Sequence, residues 1–251
     1  MCLIVFAWRP DHAQPLVVAA NRDEFHARPS LPLGCWEDAP WIIGGRDLQA
    51  GGTWMGVTAR GRFAALTNIR APGQAIGPRS RGELPEQYLR GNLPPADYLA
   101  ELAERRGDYA GFNLLVGDRQ TLWYLNSHDG QPQALQAGVY GLSNAGLDTP
   151  WPKLRKARAA LTDALDQAEP ERLLALLADA EQAAEHELPR TGVPLEWERR
   201  LSSVFIASAE YGTRASTALI RHADGSLDIV ERSFGPDGPL NEVRYRQPPR
   251  D

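Results

Sequence analysis

Apolar runs near the start of the chain give the first structural signal. Hydrophobic residues are unbroken over Cys2–Trp8 and Leu16–Ala20, and the segment Arg9–Pro15 between them has the composition of a turn. Neither run alternates polar with apolar positions, so each predicts a strand that is buried on both faces. The first 22 residues therefore predict an antiparallel hairpin.

Further apolar runs predict buried strands elsewhere, at Phe63–Leu66, Leu114–Val116 and Val204–Ala207. An all-β sandwich with solvated outer faces would show polar and apolar residues in alternation, which these runs lack. We therefore expect two stacked sheets whose outer faces are covered by helices.

Helical patterns are present to provide that cover. The segment Pro94–Arg106 begins with proline and ends before Gly107, as helices commonly do. Trp151–Gln167 and Glu171–Glu187 predict a helical pair that is interrupted at Pro170.

The last part of the chain, Leu201–Ser233, returns to a strand pattern. Turns are expected there at Tyr211-Gly212 and at Asp224-Gly225. No Gly/Ser linker, charge block or repeat divides the sequence. We therefore expect one domain over residues 1–251, with elements in the order β, α, β, α, β.

Composition and charge exclude several functional classes. The formal net charge of -5 gives no electrostatic reason to bind nucleic acid or an anionic membrane surface. The two cysteines, Cys2 and Cys35, cannot make a disulfide scaffold, and the apolar start is too short for a signal peptide. No apolar stretch approaches the roughly 20 residues that span a bilayer. We expect a soluble protein of the cytoplasm, which is not transmembrane and binds no nucleic acid; its oligomeric state is left open.

The hairpin places candidate chemistry at its open end. If Trp8 lies opposite Leu16, the same register brings Cys2 opposite Arg22. An adjacent arginine favours the thiolate, which is the nucleophilic form of cysteine. If Met1 is removed, the α-amino group of Cys2, with a reference pKa of about 7.7–8.0, can act as the base, and Asp23 can hold it.

Plainer explanations exist for the same residues. A cysteine in an apolar strand is often a small core residue, and an Arg-Asp pair after a strand is often a structural ion pair. The histidines are scattered without metal-ligand spacing, so we expect no metal site.

The order of short motifs along the chain resembles the NRDE family. The motifs run from residue 1 to about 234 and are highly specific as a set. They are Met1–Ile4, Ala20–Phe25, Arg28-Pro29, Gly51–Gly56, Ala65–Arg70, Gly141–Asn144, Asp148–Pro152 and Tyr211–Arg214.

This resemblance implies an α+β fold, a four-layer αββα sandwich like that of the N-terminal-nucleophile hydrolases of the choloylglycine hydrolase type. It also implies a catalytic set in which Cys2 is the nucleophile. The other members are Arg22, Asp23, Asn68, Asn144 and Arg214. Asn68 and Asn144 match positions that bind the oxyanion or the substrate, a role that suits amide donors. Turn chemistry is the alternative explanation for each asparagine.

Three functions remain open at this point, and the resemblance favours the first of them. The resemblance implies a protein that handles a small ligand inside the cell, in haem trafficking or in acyl-CoA or lipid handling. Its ligand carboxylates would pair with arginines, since guanidinium groups bind carboxylates bidentately; the candidates are Arg22, Arg28, Arg70 and Arg214. The second function is an amidohydrolase that cleaves a linear C–N bond through an acyl-thioester on Cys2. The third is a catalytically inert interaction protein. No cofactor is required, and haem is expected only as cargo.

Overall fold

The computed structural model describes residues 2–73 and 77–249. Contacts within the chain divide it into two compact units. The first unit contains the chain up to Ala27, the short segment Arg70–Pro72 and the chain from Gly138 onward. The second unit contains Arg28–Ile69 and Gly73–Ala137.

The first unit is built on an antiparallel sheet. Its strands, in spatial order, are β10 (Gly138–Leu142), β1 (Cys2–Trp8), β2 (Leu16–Phe25), β11 (Tyr211–Arg221), β12 (Leu227–Gly235) and β13 (Gly238–Gln247). β1 and β2 are central because their side chains are apolar on both faces, as the sequence predicts.

The predicted hairpin is confirmed residue by residue. Trp8 pairs with Leu16 and Cys2 pairs with Arg22 in an antiparallel ladder. Arg9 N donates a hydrogen bond to Pro15 O (2.8 Å), which closes the turn between the strands. The register inferred from the sequence therefore holds along the full length of β1.

Helices cover one face of this sheet. They are α3 (Pro152–Ala164) and α4 (Pro170–Leu176), each with proline at its first position. A shorter helix, α5 (Leu195–Arg200), contacts β11 through the Trp197 and Tyr211 rings, whose centroids are 5.5 Å apart. Side chains of α3 such as Leu154 and Leu161 share a buried cluster with Leu3 and Val5 of β1. This packing fixes the first turn of α3 against the strands that carry the candidate residues.

The second unit has the same general construction. Its antiparallel sheet contains β3 (Ser30–Trp36), β4 (Ala39–Asp47), β5 (Met55–Thr58), β6 (Phe63–Asn68), β7 (Phe112–Gly117), β8 (Leu122–Asn126) and β9 (Gln133–Ala134), in that spatial order. The helices α1 (Glu83–Arg90) and α2 (Pro95–Glu104) pack on it through an apolar cluster that includes Tyr88, Leu99 and Phe112.

Three predicted elements are wrong. Val204–Ala207 is not a strand, and the helix predicted over Glu171–Glu187 stops at Leu176. Tyr211-Gly212 lies inside β11 instead of forming a turn. In the first two cases the backbone is satisfied by distant groups: Asn21 Nδ2 donates to Leu177 O (3.0 Å) and to Val204 O (2.8 Å). Tertiary hydrogen bonds thus replace the regular ladders that local sequence favours.

Candidate functional site around Cys2

Cys2 is the first residue of β1 and lies between two strands. Arg22 is its partner in β2. On the other side, β10 pairs with β1 up to Leu142 opposite Ile4 and ends there. Just beyond that end, Ser143 Oγ donates to Cys2 O (3.3 Å). Arg22 therefore lies opposite the cysteine, and the segment that contains Asn144 contacts its backbone.

The Cys2 thiol is in an environment that favours its neutral form. The residue is partly exposed, but burial of the side chain raises the thiol pKa above its usual value. The nearby charge of Asp23 raises the pKa further, whereas Arg22 lowers it. A base must therefore remove the thiol proton before Cys2 can act as a nucleophile.

Asp23 is almost completely buried, at 1% exposure. Thr213 Oγ1 donates to its Oδ1 (2.8 Å), and Tyr211 Oη donates to its backbone carbonyl (3.0 Å). Burial raises the pKa of the carboxyl group, and this is opposed by the charges of Lys153 and Arg70 and by the Thr213 hydrogen bond. Asp23 is thus held in place by hydrogen bonds from β11, and the charges of Lys153 and Arg70 favour its ionised form.

Arg214 occupies a β-bulge directly beside this site. Thr213 pairs with Asp23 and Ala215 pairs with Arg22, so Arg214 is the extra residue of β11. Its Nη1 donates to Phe25 O (2.9 Å) and His26 O (3.0 Å). The pKa of Arg214 is lowered by burial and then by the charge of Arg22, so two guanidinium groups lie near each other.

Arg70 and Arg28 already have carboxylate partners. Arg70 Nη1 lies 2.8 Å from Glu198 Oε2, and both side chains are only 4% exposed. The Arg70 guanidinium also lies over the ring of Trp151, at 4.7 Å from its centroid. Arg28 pairs with Asp47 (2.7 Å) in the second unit. Their binding of a ligand carboxylate stays a prediction.

The predicted site residues fall into both units. Cys2, Arg22, Asp23, Asn144, Arg214 and Arg70 belong to the first, where Arg70 N donates to Asn144 O (2.7 Å). Asn68 belongs to the second, at the end of β6 opposite Phe112. Its predicted role with the oxyanion stays a prediction.

Two contributors escaped the sequence analysis. Asn21, the first residue of the Asn-Arg-Asp-Glu run, is a structural anchor: besides its two bonds to backbone carbonyls, its Oδ1 accepts from Ser216 Oγ (2.6 Å). Lys153 lies in the first turn of α3 at 2% exposure. A lysine at an apolar position of a helix, in register with Ala157 and Leu161, is the signal that could have revealed it. We refer to Asp23, Lys153, Arg70 and Glu198 as the charged cluster.

The described residues include no group of three or more histidine, cysteine, aspartate or glutamate side chains placed to hold a metal ion. Within the same residues, no helix is both long enough and apolar enough to cross a membrane.

Known proteins resemble this chain in sequence and in fold. Its residues 1–236 match the family described as Transport and Golgi organisation 2, which confirms the resemblance to the NRDE family. The Transport and Golgi organization 2 homologs of Mus musculus and Homo sapiens are each 34% identical over 257 residues, which is 93% of this chain and 93% of theirs.

Among solved structures, the C2A mutant of conjugated bile acid hydrolase from Clostridium perfringens is similar, with a TM-score of 0.53 and 7% identity over 99% of this chain and 97% of that one. This likeness shows the fold class, which is α+β with two antiparallel sheets, of the N-terminal-nucleophile-hydrolase type. The chain belongs to the Transport and Golgi organisation 2 family.

Proposed function

We propose that the site around Cys2 is that of an N-terminal-nucleophile hydrolase that cleaves a linear, non-peptide amide. The observation that carries this proposal is the position of Cys2, which has Arg22 opposite in β2 and a backbone carbonyl that accepts from Ser143 Oγ, next to Asn144. The fold is shared with a conjugated bile acid hydrolase, and the hydrolysis that this enzyme's name states is the reaction class proposed here.

The chemistry begins with removal of Met1, which exposes the α-amino group of Cys2. That amine has a reference pKa of about 7.7–8.0 and accepts the thiol proton, which the raised thiol pKa would otherwise retain. The sulfur attacks the amide carbon, the C–N bond breaks, and the amine leaves with the proton. Water then hydrolyses the acyl-thioester and regenerates the thiol.

Asn144 suits the developing oxyanion. The residue is 1% exposed, and burial restricts the orientations that its amide group can adopt. A preoriented carboxamide stabilises a tetrahedral oxyanion because it needs no reorganisation as the charge develops.

The neighbouring guanidinium groups of Arg22 and Arg214 indicate the substrate class. Burial lowers the pKa of Arg214 and the charge of Arg22 lowers it further; a bound carboxylate would relieve that repulsion. We therefore expect a substrate with a carboxylate or a similar anionic group near its amide bond.

Ligand handling is the second candidate, and the same guanidinium pair favours it. A haem propionate or the anionic end of an acyl amphiphile could bind Arg22 and Arg214 without any chemistry. Arg22→Ala should then weaken the binding of haem or acyl-CoA by about 1.5–3 kcal/mol, the range for a lost charged hydrogen bond. Arg232→Ala, which removes an exposed ion pair with Glu242, is the matched control.

The decisive experiment uses the two cysteines of the chain. Intact mass first establishes that Met1 is absent, and a panel of N-acyl amides is then screened with wild type, Cys2→Ala and Cys35→Ala. Cys35 is exposed in β3, so its replacement controls for loss of a thiol. The proposal expects turnover in wild type and Cys35→Ala, with an acyl adduct on Cys2. Equal background in all three proteins would reject hydrolysis, and binding of haem or acyl-CoA would then support the second candidate.

A further inference from the structure

Lys153 is a buried cation without a hydrogen-bonded partner. Its Nζ is inaccessible to solvent and makes no hydrogen bond within residues 2–73 and 77–249. The side chain lies on the apolar side of α3 with Leu154 and Ala157. Buried ammonium groups are rare because desolvation is costly, and they persist where a nearby charge compensates them.

The charges that face Lys153 come from several elements. Burial disfavours the ammonium form of Lys153, the charge of Asp23 of β2 favours it, and Arg70 opposes it. Arg70 is itself neutralised by Glu198 of α5, through the 2.8 Å ion pair. On β11, Tyr211 and Thr213 contact Asp23 through hydrogen bonds. Asp23 is therefore the carboxylate that compensates Lys153.

A cleft of about 690 Å³ borders Lys153 on another side. Its lining includes Pro152, Lys156, Ser202 and Val204, all in the first unit. Lys156 is engaged there with Asp179 and Glu181. The cleft brings solvent close to the buried amine, so Lys153 can exchange its proton without unfolding of the helix.

We propose that Lys153 is a positioning residue of the Cys2 site, whose ammonium group keeps Asp23 ionised so that Asp23 holds the α-amino group of Cys2. This role rests on the proposed hydrolytic function. Without the ammonium group, a carboxyl group buried like Asp23 takes up a proton, because desolvation penalises its charged form. A protonated Asp23 attracts the catalytic amine less and orients it poorly.

The role has a pH limit. Burial lowers the pKa of Lys153 to about 8, so the ammonium group is lost as the pH rises through that value. Turnover should then fall as the pH rises through this value, even though a larger fraction of the Cys2 α-amino group is in its neutral, proton-accepting form there. Lys153→Arg, whose guanidinium stays charged, should move that alkaline limb upward.

The chain offers a direct test, because Lys153 and Lys156 are its only lysines. In protein labelled with ¹³C-lysine, NMR would show two side-chain signals, and Lys156→Arg assigns them. Lys153 should titrate near pH 8, and Asp23→Asn should lower its midpoint by about 1–3 pH units, the usual effect of losing an adjacent opposite charge. A Lys153 midpoint at the ordinary value of about 10.4, or one that Asp23→Asn leaves unchanged, would overturn the proposal.

Kinetics separate positioning from a purely structural role. Lys153→Met should lower kcat by about 10–100-fold with little change in KM, comparable to losing a group that orients a metal ligand. Lys153→Arg should restore much of kcat, and Lys156→Met is the matched control with wild-type kinetics. Unchanged kcat and pH profile in a folded Lys153→Met protein would overturn the role. Failure of the hydrolase proposal gives a different result. Wild type and Cys2→Ala would then hydrolyse the amide panel at the same background rate, while Lys153 still titrates near pH 8.

Discussion

Each unit of the molecule buries a polar cluster, and the two clusters differ in charge. In the second unit, Asn113 lies between three partners: its Nδ2 donates to Thr67 Oγ1 (3.1 Å), and its Oδ1 accepts from Tyr124 Oη (2.6 Å) and Asn126 Nδ2 (2.9 Å). We call this the neutral cluster. In the charged cluster of the first unit, Lys153 Nζ makes no hydrogen bond to any described residue.

The comparison shows how a buried polar group can be assigned to stability or to function. A neutral network whose groups bond one another rigidifies its surroundings and needs no ligand. A buried cation held only by longer-range charge is costly, so it is retained where its charge state matters to a reaction. We therefore expect changes in the neutral cluster to alter stability without altering turnover, and changes in the charged cluster or at Asn144 to alter turnover.

The largest expected effect is on turnover. Asn144→Ala should lower kcat by roughly 10²–10³-fold, as for other oxyanion-hole amides, because the developing charge loses a fixed donor. Steady-state kinetics on a substrate found with the amide panel would measure it, with thermal unfolding as the check on folding. A kcat within a few-fold of wild type would remove Asn144 from the reaction.

The pH dependence of stability is the next largest effect. The pKa of Lys153 is about 8 in the folded state and about 10.4 in an unfolded chain. Between these values the unfolded state binds more protons, so the contribution of Lys153 to the free energy of unfolding rises with pH, by on the order of 3 kcal/mol across the window. Urea unfolding between pH 7 and about 10.5 should show this rise in wild type and lose it in Lys153→Met. Identical slopes would contradict the assignment.

A third prediction concerns the neutral cluster. Asn113→Ala should destabilise the protein by about 1–3 kcal/mol for each buried group that it leaves without a partner, since Tyr124 and Asn126 lose an acceptor. Urea unfolding measures the loss, with the exposed Asn92→Ala as control. Turnover at a temperature where both variants are folded should equal that of wild type. A selective loss of kcat would erase the distinction between the clusters.

The smallest effect is expected where charges are exposed. Arg244 pairs with Glu171 and Glu242 at the surface, each at 2.7 Å. Because solvent screens such pairs, Arg244→Ala should leave the free energy of unfolding nearly unchanged. Calorimetry or urea unfolding measures the change. A clear loss of stability would show that burial does not decide which charged residues contribute to the free energy of unfolding.

Much of the first unit could be read from the sequence because its strands are strongly apolar. The runs Cys2–Trp8 and Leu16–Ala20 pair across a short turn, and the turn sets their register. The proximity of Cys2 to Arg22 could therefore be predicted from the sequence alone. The family motifs added Asn144, which follows the distant strand β10 directly after Ser143, the residue whose Oγ donates to Cys2 O.

The elements that failed depend on long-range hydrogen bonds, which a local pattern does not contain. Val204–Ala207 is apolar enough for a strand, yet Phe205 N donates to Asp179 O (2.7 Å) and Ile206 N donates to Thr213 Oγ1 (2.9 Å). Lys153 was overlooked for a related reason. Its significance comes from the charges of Cys2, Asp23 and Arg70, which lie far from it in the sequence.

Gly141 in β10 sets how closely α3 can approach the sheet. A Cβ atom at this position would come within 2.6 Å of Leu154 Cδ2 and 2.7 Å of its Cγ. Any larger residue would force Leu154 out of its rotamer or push the first turn of α3 outward, and Lys153 is the residue immediately before Leu154. Because residue 141 has no side chain, α3 can pack close to β10, and this distance sets how deeply the Lys153 ammonium group is buried. Substitution at residue 141 would therefore change the position of Lys153 without altering any chemical group of the site.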